Sequence, residues 1–191
     1  MTIFVGKQQE EFILERQILK KSPVLESSVI DGDELGPHIL RIFLLRCNVS
    51  DFRAAKEFLQ ESEYTPKLLC RGTDVAHLGG AMTDRQLADE ASRCARVYCL
   101  ALRLVLPGLQ ELALEKLKTI WFSSGYRVLQ LATYVYSNTT DCGDQLRQFL
   151  VQHIAENMAF LPVIELETTI SGCPRLSRDL VMYVARSVHR D

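Results

Sequence analysis

Residues 83–120, TDRQLADEASRCARVYCLALRLVLPGLQELALEKLKTI, decide how the rest of the chain is read. Thr83 and Gln86 have the spacing of a capping box, in which two side chains satisfy two orphan amides reciprocally, so a helix is predicted to begin there. Leu87, Ala91, Cys94, Ala95, Tyr98, Ala101, Leu102 and Val105 follow at three-and-four spacing, which puts them on one buried face. Pro107-Gly108 breaks the pattern, and Leu109, Leu112, Ala113, Leu117 and Ile120 resume that face in a second helix. The spacing therefore predicts a helical hairpin with Tyr98, Ala101, Leu109 and Leu117 in the core.

Before this block the pattern is mixed. Residues 2–5 are β-branched and aromatic, Gly6 to Glu10 is polar, and Phe12-Ile13-Leu14 resumes the apolar run, which reads as a hairpin. A helix fits Ile18 to Leu25, bent or restarted at Pro23. Asp31 to Pro37 is a loop on its Gly and Pro content, and Ile39 to Leu45 is almost continuously apolar, as a strand covered on both faces would be. Ser50 is placed to cap a helix running from Asp51 to about Glu61. Residues 71–82, with Gly72, Gly79 and Gly80, read as a surface loop. After the block come further helices, over Tyr126 to Tyr136, Asp144 to Phe160 and Leu176 to Val188.

The 191 residues balance 22 basic against 24 acidic side chains, well mixed, for a net charge of -2. No broad positive field exists to hold a phosphate backbone, so direct nucleic-acid binding is not expected. No apolar run approaches the roughly 18 residues that cross a bilayer, and Met1 leads into Ile3-Phe4-Val5 without a signal-peptide pattern. The expectation is a cytoplasmic or nuclear protein. Cys47, Cys70, Cys94, Cys99, Cys142 and Cys173 form no Cys-x-x-Cys pair and read as free thiols of a reducing compartment. The glycosylation patterns at Asn48 and Asn138 are then chance matches.

Several of these residues together resemble the BTB/POZ domain, in the divergent form common among fungal proteins, over residues 2 to 121. Ile3-Phe4-Val5-Gly6, Phe12-Ile13-Leu14 and Ile18-Leu19-x-x-Ser22-Pro23 look like that family's first hairpin and its Ser-Pro turn. Phe52, Phe58-Leu59 and Tyr64 occupy the place of its "F…FLYTGEY" segment. Val97 to Ala101, Leu106 to Leu109 and Leu112-Ala113-x-x-Lys116-Leu117 match best. Leu131, Tyr134 to Tyr136, Asn138-Thr139 and Leu146-Arg147 are similar to the BACK-like helical region that follows the domain in fungal relatives. Glu15 departs from the family's usual His, and Gln60-Glu61-Ser62 replaces its Tyr-Thr-Gly.

The resemblance implies an α+β fold: a BTB/POZ-like helical cluster capped by a small three-stranded sheet over 1–121, with a loop at about 65–82. An all-helical C-terminal extension occupies 122–191. It also implies a non-catalytic protein–protein interaction module, an adaptor for a cullin-based ubiquitin ligase. Relatives that recruit a cullin often carry a hydrophobic-x-Glu motif where this chain has residues 29–37. Val29, Asp31, Asp33 and Glu34 are accordingly the candidate partner-binding residues, although Val29-x-Asp31 only approximates the motif. A homodimer is compatible with the family. The chain as given opens at the first core strand, so the swapped dimer of long-form relatives is not expected.

A search for chemistry finds little. His38, His77, His153 and His189 are scattered, and Cys70 with His77 is the closest approach to a metal-like pair. Cys94 and Cys99 sit five apart on one helix, away from a common face. Ser123-Ser124-Gly125 serves as a helix stop and cap, and Asp31, Asp33 and Glu34 as solvated loop. No phosphate-cradling loop, dinucleotide fingerprint or nucleophile elbow is present. No cofactor, metal site or catalytic residue is expected. The competing readings are a self-associating scaffold of a transcriptional regulator and an enzyme of unrecognised type. The last helix sets Leu176, Leu180, Val184 and Val188 on one stripe, with Arg175, Arg178, Arg186 and Arg190 around the remainder.

Overall fold

Thr2–Val5 forms strand β1 and Glu10–Ile13 forms β2 in the computed structural model, which describes residues 1–28, 41–44, 47–71, 75–120, 125–140 and 144–188. The fold is α+β. Strand β3 (Arg41–Leu44) completes a three-stranded sheet of order β2-β1-β3. β1 and β2 are antiparallel, with Ile3 opposite Phe12, and β1 and β3 are parallel, with Ile3 opposite Ile42. A parallel pair requires a crossover, and α1 (Arg16–Leu19) and α2 (Pro23–Ser27) lie on it. Gly6 turns the corner after β1 at φ +75, where a Cβ would also meet Val49 Cγ2 at 3.1 Å.

Contacts divide the chain into two compact units, Met1–Ala81 with Arg96–Thr119, and Met82–Ala95 with Ile120–Asp191. In the first, Ile3, Val5, Leu14, Leu25 and Ile42 are buried. Helix α3 (Val49–Glu61) adds Phe52, Ala55 and Leu59, and the Phe52 ring meets Phe12 edge-on at 5.1 Å. Its cap is Asn48, whose Oδ1 accepts from the Ser50 amide at 2.8 Å, and not Ser50 as the spacing suggests. The Ser50 hydroxyl itself donates to Asn48 Oδ1, so it serves the cap as a donor.

Residues 71–82 are not a plain loop. Leu68–Arg71 (β4) and Val75–Leu78 (β5) pair as an antiparallel hairpin, closed by the Gly79 amide on the Lys67 carbonyl at 2.9 Å. Strands of four residues are too short to show a period, and the flanking glycines mask them in the sequence.

The helical hairpin is present as α4 (Asp84–Leu104) and α5 (Pro107–Lys118). Tyr98, Ala101, Leu109 and Leu117 are all buried, as expected. Leu102 and Val105 are not: they are 38% and 52% exposed, because Val97 to Ala101 is buried all round and the inward line then passes to Leu104 and Leu106. The break lies two residues before Pro107, at Val105, whose φ of 55 ends α4 in the left-handed region.

In the second unit the capping box is made, with the Thr83 amide on Gln86 Oε1 at 2.8 Å and the Gln86 amide on Thr83 Oγ1 at 3.4 Å. Helix α6 (Gly125–Asn138) packs on α7 (Gln145–Glu156), α8 (Val163–Gly172) and α9 (Pro174–Val188). A single 3-10 turn, Met158–Phe160, follows α7 where the spacing would have continued the helix. Its core is Val128, Leu131, Val135, Leu146, Leu150, Ile154, Leu176 and Leu180. No residue of α8 is fully buried, and its apolar positions Val163, Leu166 and Ile170 span barely two turns, too short a stripe to announce the helix. Val184 of the expected α9 stripe is 44% exposed. No helix among the described residues is long and apolar enough to cross a membrane.

Candidate functional site

Arg147 interrupts an otherwise apolar stripe of α7, flanked by Leu146, Leu150 and Val151, and folding buries it to 1% exposure. A buried guanidinium must spend its fixed fork of donors on nearby acceptors. Its Nε donates to Thr139 Oγ1 at 2.6 Å, and a terminal nitrogen donates to the Thr139 carbonyl just past α6. The Asp144 carboxylate caps the same turn by accepting from the Arg147 amide at 3.0 Å. On its open side the guanidinium lies 4.4 Å from the Tyr136 ring centroid, a cation–π contact with a desolvated cation.

Tyr136 carries the network to the third helix, its hydroxyl donating to Asp179 Oδ2 of α9 at 2.8 Å. Burial, and then the Asp179 carboxylate it faces, push the Tyr136 pKa far up, so the hydroxyl remains a donor at every ordinary pH. Thr139, Arg147, Tyr136 and Asp179 thus tie α6, α7 and α9 together, and Arg147, Tyr136 and Asp179 line a groove of about 630 Å³. Val151 and Gln152 of α7 and Met182, Tyr183 and Arg186 of α9 form its walls, and the Arg178 side chain, 64% exposed, stands at its rim. The Tyr183 hydroxyl donates to Glu156 at 3.3 Å. The groove offers apolar surface, aromatic edges and arginine donors, an arrangement suited to recognition.

A second buried charge holds the first unit together. Lys116 on α5 is fully buried. Its Nζ donates to the Tyr64 carbonyl, to the Pro66 carbonyl at 2.7 Å and to Glu63 Oε1 at 2.6 Å, and it lies 3.5 Å from the Tyr64 ring centroid. Among the remaining reactive groups, burial pushes the Cys47 thiol up to about 11, so it stays protonated at neutral pH. His153 stacks on Phe149 at 6.2 Å, and burial lowers its pKa below the ordinary 6.5 against the opposing pull of Glu156. Cys47, Cys94, Cys99 and Cys173 form no disulfide.

Of the residues singled out in the sequence, Val29, Asp31, Asp33 and Glu34 lie outside the described residues. Ser123 and Ser124 do as well. The register of the β4–β5 hairpin sets Cys70 opposite Ala76 and His77 opposite Leu69, so the two are not register partners. Among the described residues no group of three His, Cys, Asp or Glu side chains is placed to hold a metal. The groove was not foreseen. Its one sequence signal is the arginine at position 147 on an apolar stripe, whereas Asp179 meets Tyr136 across 43 residues that no local pattern links.

Comparison of the chain with protein-family models, with curated proteins and with solved structures found no match.

Proposed function

We propose that the chain is a non-catalytic protein–protein interaction module of the BTB/POZ type, whose first unit serves as an adaptor toward a cullin scaffold. The observation that carries this reading is a buried hydrogen bond. Ser22 Oγ donates to the Leu104 carbonyl at 2.6 Å, across 82 residues, and accepts from the Leu25 amide at 3.2 Å. One hydroxyl therefore joins the Ser22-Pro23 turn to the end of the helix that holds Val97 to Ala101, two of the segments that carry the resemblance.

Other contacts point the same way. Lys116 and Tyr64, both in the family-like segments, meet in the core, and Gly108 lies so close to Phe58 that an added Cβ would be 3.1 Å from its Cζ. The α+β class, with a three-stranded sheet in the first unit, also supports this reading. The partner surface on this reading includes Val29, Asp31, Asp33 and Glu34. Titration of the full chain with a purified cullin N-terminal domain tests it: binding with Kd on the order of 1 μM or weaker is expected, since acidic loop residues steer a partner but interface energy concentrates in a few large buried anchors. Absence of binding at saturating concentrations would turn the reading toward the self-associating scaffold.

A further inference from the structure

Charge is segregated along the second unit. From Gln148 to Pro174 the chain carries three glutamates, Glu156, Glu165 and Glu167, and no lysine, arginine or aspartate. From Arg175 to Arg190 it carries four arginines and one aspartate. Both stretches also turn large apolar side chains outward. Phe160 is 85% exposed, Val163 67% and Ile164 76%, and on α9 Val181 is 65% and Met182 49% exposed. Glu167 stands one turn from Val163 and Ile164, as Arg178 stands one turn from Val181 and Met182. Within one copy these charges are not spent on each other: among the described residues no ion pair joins Glu165 or Glu167 to α9, and Arg178 pairs only with its neighbour Asp179.

We propose that the acidic, apolar segment Phe160 to Glu167 docks on the basic, apolar face of α9 in a second copy of this chain. Phe160 enters the groove beside Met182, Ile164 covers Val181, and Glu165 and Glu167 face Arg178 and Arg186. Because every copy carries both halves, a single two-fold axis makes both contacts at once and closes the assembly at two. The contact would cover Phe160, Val163 and Ile164 of one copy and Val181 and Met182 of the other, all exposed in the single chain. The inference uses the second unit alone and is independent of the BTB/POZ reading of the first.

Light scattering on the eluted full chain tests it. The wild type is expected at twice the 21.7 kDa of one chain. Glu165→Lys with Glu167→Lys makes both halves basic, and Arg178→Glu with Arg186→Glu makes both acidic, so each double variant alone should fall to the single-chain mass. Mixed in equal amounts, the two should regain the doubled mass, because each half again meets its opposite; that rescue also shows both variants to be folded. A wild type of single-chain mass, as a different basic protein on the acidic segment would leave it, overturns the proposal. So does a dimer that survives either reversal, or a loss of mass that mixing does not restore.

Discussion

Replacing Ser22 by Ala removes one hydroxyl that serves two ends of two helices, and its cost can be worked from the contacts. Ser22 is fully buried, so no water replaces the lost group. The Leu104 carbonyl, among the last of α4 and without an intrahelical partner, loses its donor at 2.6 Å. An orphaned buried carbonyl costs about 1–3 kcal/mol. The Leu25 amide at the start of α2 loses its cap as well, worth about 1 kcal/mol more. Together the loss is about 2–4 kcal/mol, and with m near 2 kcal/mol/M the urea midpoint falls by roughly 1–2 M. Ser27→Ala is the control, since its hydroxyl bonds the Val24 carbonyl at 3.1 Å in an exposed place and its loss should stay within about 0.5 kcal/mol. A Ser22→Ala midpoint indistinguishable from that of Ser27→Ala would refute the assignment of this bond, and with it the main support for the functional reading.

Three further outcomes follow from the same contacts. Leu109→Ala, at a fully buried position of α5, should cost about 2–5 kcal/mol by chemical denaturation, and an unchanged midpoint would remove the helical hairpin from the core. Lys116→Met deletes the charge that two carbonyls and Glu63 share; a loss of about 3 kcal/mol is expected, and a stabilised variant would mean that the buried lysine is dispensable. Because His153 has a folded-state pKa below the unfolded 6.5, the unfolded chain binds the extra proton first, so its contribution is complete above pH 6.5 and is lost as pH falls through that value toward the lower folded pKa. The fall in Tm on acidification from neutrality to about pH 5.5 should therefore be smaller in His153→Gln, and an identical fall in both proteins would contradict the burial of the imidazole.

What the sequence disclosed of this fold was what is local. The reciprocal Thr83–Gln86 cap spans three residues, and the α4–α5 hairpin repeats a stripe long enough to recognise, so both were legible. Asn48 and Ser50 are equally good cap formers two positions apart, and only the hydrogen bond they make to each other decides which one begins α3. The β4–β5 hairpin depends on pairing between two four-residue strands, which leaves no periodic trace. α8 has no fully buried residue and contains Ile164, Thr168, Thr169 and Ile170, β-branched residues that argue weakly against a helix. The groove was legible at one residue, Arg147. Its other members converge only when α6, α7 and α9 pack, and Tyr136 gives no hint in sequence that its partner is Asp179.

The most direct measurement of the central claim is a calorimetric titration of the full chain with a cullin N-terminal domain, repeated with Asp33→Ala and Glu34→Ala combined. The account predicts saturable binding with Kd on the order of 1 μM or weaker, further weakened in the double variant because these carboxylates act on encounter. The absence of any saturable binding up to the highest soluble concentration would contradict it.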